Sequence, residues 1–486
     1  MRYYILMWLL SVLYFLSRFP FLRAYPVFYD SFEYARISET INFSNLTQTI
    51  TSSHQPIHTF YFLTILIFKQ IFFFLSADKV LVLISLLFGY LTVIFFFLFT
   101  KEYLDNKKAF FASLLLLLFP YFFVANTNIL YESELLFFQI AALYFFFTGL
   151  KKENIRRVLL AGILWSISIS IFTGSLIIFP VFVALYLKTK KKLSLLSLAL
   201  TLTITLLIPL LLDIFVVKSP ALIVEKYQFH FGDLVSSREG LAIFIFRILR
   251  NIVLESSAIL SWPGAILTAT VLLVSIFYPL PSTTIFNFLS SVVWFGPPII
   301  LMQFWHAGLF GRLAIFLVFP ASLLLAENLT KKWQKIFLLL TFLVFLVPLL
   351  IAQTKNPSIY RFYDLIKNVP NVAILTSDSN RFLYQKYELP TFVFSPGNDL
   401  PEAEKFINEN LKQGKTVLID SSGLNYPYFQ FDGDFYHLFS RHPQSPPHVK
   451  PLLEKFKLET FKEDPKNKEI YFKTVKISGV SPRMKR

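Results

Sequence analysis

The chain has 486 residues, a formal net charge of +16, 55% hydrophobic residues, 58 phenylalanines and no cysteine. Soluble globular chains carry roughly 45–50% apolar and about 25% charged residues. Here only 16% are charged, and the run Val80–Phe99 alone reaches the ~20 apolar residues needed to cross a bilayer. A soluble enzyme, a secreted disulfide scaffold and a disordered tail are excluded, as are thiolate catalysis and cysteine-held metals.

In chain order, the apolar stretch 3–17 has no small-residue cleavage site after it and reads as a retained first span. Further spans are expected at about 79–100, 108–125, 133–150, 157–171, 173–187, 193–216, 263–280, 284–303, 310–327 and 333–352. Four basic clusters lie in the short loops between them: Lys101, Lys107 and Lys108; Lys151, Lys152, Arg156 and Arg157; Lys188, Lys190, Lys191 and Lys192; and Lys331, Lys332 and Lys335. Positive loops stay in the cytoplasm. All four clusters face inward only if the apolar stretches 58–76 and 241–260 lie on the outer interface. Lys69, near the middle of the first, agrees with this, because a central lysine costs roughly 2.5–3.5 kcal/mol on insertion scales. The expected arrangement has eleven spans, a cytoplasmic N-terminus and an extracytoplasmic C-terminus.

The charge divides as +11 over residues 1–352 and +5 over residues 353–486. The excess in the first part follows from orientation, and no nucleic-acid partner is expected. The fold class is therefore a mostly α polytopic membrane protein of about eleven transmembrane helices, residues 1–352, followed by an extracytoplasmic α/β domain, residues 353–486. In that tail, Val372–Leu375, Thr391–Phe394 and Thr416–Ile419 read as short buried strands. Helical patterns at about 379–387 and 400–412 alternate with them, the second opened by Asp399, Pro401 and Glu402. Neither GxGxxG nor GxxxxGK[ST] occurs there, so no nucleotide site is expected.

The predicted spans hold almost no acids, whereas an ion-coupled transporter usually needs ionisable groups at the midplane. The acids gather on the expected outward side: Asp30, Glu33 and Glu39 in the first loop, then Glu132 and Glu134 at the mouth of the fourth span. Tyr34, Ile37 and Ile41 recur at helical spacing, so 31–41 reads as an amphipathic helix lying on the membrane with Asp30 as its N-cap. Taken alone, Asp30 is a helix cap. Glu132 and Glu134 alone are favourable acids at a helix N-terminus. His54 and Gln55 precede a proline turn at Pro56. Arg312, at the outer end of the tenth span, either snorkels to the interface or grips a lipid phosphate with its planar fork.

Together these residues resemble the GT-C superfamily of membrane glycosyltransferases, and most nearly the protein O-mannosyltransferases and the aminoarabinose transferase that modifies lipid A. Those enzymes place an Asp after the first span, then a Tyr-Ala-x-Ile-Ser element. Asp30 and Tyr34-Ala35-Arg36-Ile37-Ser38 match it. His54-Gln55-Pro56-Ile57 is a looser match to their Pro-led interfacial helix. Ser133-Glu134-Leu135-Leu136 carries the second acid, with Glu132 beside it, and Arg312 followed by Phe319-Pro320-Ala321 is similar to their late span. Where those relatives have basic residues near the first acid and at the Pro-led helix, this chain has Glu33 and Gln55.

The resemblance implies a sugar donor on polyprenyl phosphate and a hydroxyl acceptor on a lipid, glycan or protein at the outer face of the membrane. Asp30 would be the general base, and Glu134 would orient the acceptor or hold that base. Tyr34, Glu132, His54, Gln55, Arg312 and Arg36 are the binding candidates. Arg312 is the first choice for the leaving phosphate, with Arg23, Arg36 and Arg247 behind it. No cofactor is implied. A divalent metal is optional, with His54 beside Asp30 or Glu134 as its candidate holders. The alternative from a different class is a polytopic transporter or lipid flippase.

Overall fold

The computed structural model describes residues 3–27, 29–51, 58–189, 194–219, 224, 260–277, 293–297, 315–354, 358–394, 400–424, 455–466, 468 and 470–477. Contacts divide the chain into two units. One comprises Met1–Pro26 with Ile37–Ile351, the other Val27–Arg36 with Ala352–Arg486. The expected span at 284–303 and surface helix at 241–260 fall almost wholly outside the described residues.

The first unit is helical. Helix α1 (Tyr3–Arg18) is followed by α2 (Tyr29–Thr40), whose residues up to Arg36 belong to the second unit, and then by α3 (Leu46–Thr51), α4 (Thr59–Ile71) and α5 (Ala77–Lys101). Next come α6 (Asn106–Leu118), α7 (Pro120–Thr127), α8 (Glu132–Lys151), α9 (Ile155–Ile171), α10 (Phe179–Thr189) and α11 (Ser194–Val216). After these lie α12 (Trp262–Phe277), α13 (Val318–Asn328), α14 (Lys331–Thr341) and α15 (Val347–Gln353), the last two joined by one π-helical turn. Among the described residues five helices are long and apolar enough to cross a membrane: Tyr3–Phe21, Ala77–Lys101, Glu132–Lys151, Leu195–Val216 and Lys331–Ile351. A sixth is added if α6 and α7 count as one span bent by 68°.

That bend sits at Pro120, whose ring lacks an N–H and so breaks the helical ladder. A carbonyl freed in lipid needs another donor, and Arg18 supplies one, its Nη2 donating to the Leu117 carbonyl at 2.5 Å. The same guanidinium lies over the rings of Tyr14 and Phe123. Asp105 and Asn154, each beside a basic cluster, accept backbone N–H groups as the caps of α6 and α9. Helices α5 and α8 are buried through most of their length, whereas α1, α11 and α14 keep apolar side chains exposed, as lipid-facing helices do. Helix α8 packs against α5 and α9, and α9 against α11. Tight packing is enforced at Gly89, where an added Cβ would collide with the Asn126 amide and the Tyr14 hydroxyl.

Helix α4, expected as part of a surface helix over 58–76, is 13 residues long. It buries Thr59, Tyr61, Phe62, Thr64, Ile65 and Leu66 and packs against α5 and α9. Lys69 at its end donates to the backbone carbonyls of Glu39 at 2.8 Å and Ile41 at 3.3 Å. Burial lowers the Lys69 ammonium below the usual lysine range, partly offset by Glu39.

The second unit is an α/β domain with a five-stranded sheet in the order β2-β1-β3-β5-β4. Its strands are β1 (Val372–Ser377), β2 (Thr391–Phe394), β3 (Thr416–Asp420), β4 (Phe456–Glu463) and β5 (Tyr471–Ile477). Strand β1 runs parallel to β2 and β3, while β5 runs antiparallel to β3 and β4. Its helices are α16 (Ser358–Ile366), α17 (Asp378–Lys386), α18 (Leu400–Lys412) and the short α19 (Ser421–Leu424). Strand side chains alternate between faces. Ala373, Leu375, Val417 and Ile419 pack with Ala403 and Ile407 of α18. Val372, Ile374 and Leu418 pack on the other face with Ile359 and Ile366 of α16 and Leu383 of α17. At the end of β3 the buried Asp420 carboxylate accepts from Thr376, Asn380, Tyr384, Ser422 and the Gly423 N–H. Burial and that carboxylate push the Tyr384 hydroxyl well above the usual tyrosine range.

Candidate functional site

In the first unit the candidate acids open α8. Glu132 and Glu134 are both buried, at 1% and 0% exposure. Glu134 Oε1 accepts a hydrogen bond from Thr64 Oγ1 at 2.7 Å, and its Oε2 has no hydrogen-bond partner among the described residues. Burying a carboxyl group is costly unless its oxygens are satisfied, and Thr64 supplies one such bond.

The start of α4 is held nearby at three points. His58 Nδ1 donates to the Ile171 carbonyl, the last residue of α9, at 2.6 Å. The His58 ring lies 4.3 Å from that of Tyr131, which immediately precedes α8. Thr59 Oγ1 donates to Asp213 Oδ1 of α11 at 2.8 Å. Asp213 and His58 are fully buried. A buried ionisable side chain in a membrane helix is a functional-site candidate by default. Neither residue was reached from sequence. The signal for Asp213 was present: it is the one acid in the apolar run 193–216. In sequence the proline turn draws attention to His54, four residues before His58.

Asp30 and its helix differ from the sequence reading in two respects. The helix begins at Tyr29, so Asp30 lies within the first turn of α2 and is not its N-cap. Nor is α2 a surface-lying helix. Asp30 is 7% exposed, and Phe32, Tyr34, Ala35, Ile37 and Ile41 are all buried. Apolar residues on more than one face make a helix buried rather than interfacial. The Ser31 hydroxyl accepts from the Val27 N–H at 2.9 Å and fixes the chain entering the helix. Arg36 is exposed and pairs with Glu33 at 3.8 Å.

Thus Asp30, Tyr34 and Arg36 share one helix segment in the second unit, and Glu132 and Glu134 share the head of α8 in the first. His54, Gln55 and Arg312, with Arg247, lie outside the described residues. Arg23 is buried and its N–H donates to the Thr127 carbonyl at 2.8 Å. Among the described residues no three His, Asp or Glu side chains converge as a metal site would require.

Residues 54–212, about a third of the chain, match the family described as dolichyl-phosphate-mannose-protein mannosyltransferase. The fold is shared with ArnT from Cupriavidus metallidurans in the apo state, at 13% identity and a TM-score of 0.54 over 96% of this chain and 97% of that one. The same protein bound to undecaprenyl phosphate matches at 12% identity, with the same TM-score and coverage. The archaeal oligosaccharyltransferase AglB from Archaeoglobus fulgidus, in complex with an inhibitory peptide and a dolichol-phosphate, matches at 14% identity and a TM-score of 0.53. That match covers 98% of this chain and 75% of the archaeal one. No curated protein sequence matches the chain. These findings bear out the resemblance to the GT-C superfamily of membrane glycosyltransferases and the corresponding fold class: apolar helices followed by a small C-terminal sheet domain.

Proposed function

We propose that this protein is a glycosyltransferase that moves a sugar from a polyprenyl-phosphate donor to a hydroxyl on a lipid, glycan or protein at the outer face of the cell membrane. The observation that carries the reading is the family match across 54–212, the segment that holds the buried Glu134 bonded to Thr64. The undecaprenyl phosphate and dolichol-phosphate of the similar structures support a polyprenyl phosphate as the carrier lipid.

In the proposed reaction the acceptor oxygen attacks the anomeric carbon as the bond from that carbon to the phosphate oxygen breaks. The acceptor proton passes to Asp30, and polyprenyl phosphate leaves. Single displacement inverts the anomeric centre. General-base assistance of this kind gives roughly 10²–10⁴-fold. Glu134 orients the acceptor, and Tyr34 and Glu132 are assigned to substrate binding. Charge on the leaving phosphate is met by a preorganised cation. Arg312 is assigned that role, with Arg36, His54 and Gln55 contributing to donor binding. The reading requires no metal, so dialysis against a chelator is expected to leave turnover unchanged.

The test is to express the wild type and Asp30→Asn at equal protein level in the host and compare total glycolipids and glycoproteins by mass spectrometry. The expected result is one hexose- or pentose-sized mass present with the wild type and reduced at least about 100-fold with Asp30→Asn. Identical profiles would overturn the assignment of Asp30 and make transport of a lipid the working function.

A further inference from the structure

The C-terminal domain has no role in the proposed reaction as stated so far, yet its core contains a side chain from far outside it. Phe32, 3% exposed, belongs to the hydrophobic cluster of Ile359, Ile366, Val372, Ile374, Leu383, Tyr384, Leu418 and Phe472. Its ring lies 5.9 Å from that of Tyr360. The whole segment Val27–Arg36 groups with the domain and not with the helical unit that its sequence position suggests. Asp30 is two residues from Phe32 in α2. Two residues are about 200° around an α-helix, so the carboxylate stands on the face opposite the ring that plugs the domain core. Tyr34, one helical turn from Asp30, shares the carboxylate's face.

We infer that the C-terminal domain sets the position of the Asp30 carboxylate, with Phe32 as the positioning residue. The inference rests on the reading of Asp30 as the reacting base. A buried aromatic ring in a close-packed core has little freedom, and it fixes both the axial position and the rotation of the short helix that carries it. A general base must hold its proton acceptor within hydrogen-bond reach of the acceptor hydroxyl, and a misplacement of about 1 Å can cost on the order of 10²-fold in rate. The Val27 N–H bond to Ser31 and the Arg36–Glu33 pair brace the same segment internally, and Phe32 seats it in the domain core.

The experiment uses the full-length protein. Phe32→Ala, Phe32→Leu, Asp30→Asn and the double variant Phe32→Ala/Asp30→Asn are compared in three measurements: the rate at which the sugar-shifted product accumulates in cells, binding of undecaprenyl phosphate by native mass spectrometry, and melting temperature in detergent. Phe32→Ala is expected to slow product formation about 10- to 100-fold while binding of undecaprenyl phosphate is retained. Phe32→Leu, which refills most of the volume, restores the rate to within about threefold. In the Asp30→Asn background Phe32→Ala has no further effect, because residues acting through one another are not additive. Wild-type rates for Phe32→Ala, or equal losses in both backgrounds, would overturn the inference while leaving the base assignment intact. So would loss of rate in proportion to loss of lipid binding and melting temperature. Full activity of Asp30→Asn would instead remove the reading on which it rests. If Phe32→Ala does not accumulate, Phe32→Val carries the same comparison.

Discussion

Thr64→Val tests whether Glu134 works through the geometry seen here. Valine keeps the shape of threonine and removes its hydroxyl, the donor to Glu134 Oε1 at 2.7 Å. Oε2 has no partner among the described residues, so the substitution leaves a fully buried carboxyl with neither oxygen held by a described donor. Leaving a buried carboxyl oxygen without its hydrogen bond costs about 1.5–3 kcal/mol. If that energy holds Glu134 in its working orientation, its loss lowers the rate about 10- to 150-fold. Thr64→Ser keeps the hydroxyl and loses one buried methyl, a change of about 0.8 kcal/mol, and is expected to remain within about threefold of wild type. The assay is the time course of the sugar-shifted product in cells with matched protein levels. Wild-type rates for Thr64→Val, or a serine variant as slow as the valine one, would refute the reasoning.

Glu134→Met removes the under-satisfied buried carboxyl and keeps similar volume, so it is expected to raise the melting temperature while abolishing product, a combination read by paired thermal and product assays. Gly89→Ala, whose Cβ collides with Asn126 and Tyr14, is expected to destabilise the helical unit by about 1–3 kcal/mol, seen as a lower melting temperature in detergent. Arg18→Met leaves the Leu117 carbonyl at the Pro120 break without its donor; a cost of about 1.5–3 kcal/mol should appear in the same measurement. In the sheet domain, Tyr384 is held well above the usual tyrosine range by burial and by Asp420. Its protonated form therefore stabilises the fold below about pH 10, the unfolded value, and that contribution is lost as pH rises further. The domain's melting temperature should fall above about pH 10, and Tyr384→Phe should flatten that fall.

The strands β1, β2 and β3 and helices α17 and α18 were legible to within two residues because each is a short apolar run or a 3.6-period pattern bounded by breakers. The hairpin of β4 and β5 was not, although Phe456, Leu458 and Thr460 alternate as a strand should. The intervening Lys457, Glu459 and Lys462 give it the composition of an exposed loop. Glu459, salt-bridged to Lys457 and Lys476, shows that those charges line the solvent face of the hairpin. Among the candidate residues, the order of acids along the sequence singles out Asp30 and Glu134, and Asp213 stands out as the one acid of its apolar run, whereas His58 carries meaning only through its three-dimensional contact with Ile171. Phe32 is the clearest case of this limit. In sequence it is one phenylalanine among 58, and nothing local says that its partners begin more than three hundred positions later.

The same contacts bear on the choice between a transferase and a transporter. Alternating access requires an element at the site to rock or break as the two sides open in turn. Helix α4 is tied to three others by polar side chains: Thr64 to α8, His58 to the end of α9 and Thr59 to α11. Each bond is buried, and breaking any one leaves a polar group that costs about 1–3 kcal/mol, so a motion that released all three would face the sum. Such an anchored helix suits a site whose groups must stay within a fraction of an ångström of their working positions. It suits poorly a helix that has to move on every cycle. The buried Glu134 carboxyl, on the helix to which α4 is tied, is where that rigidity would serve catalysis.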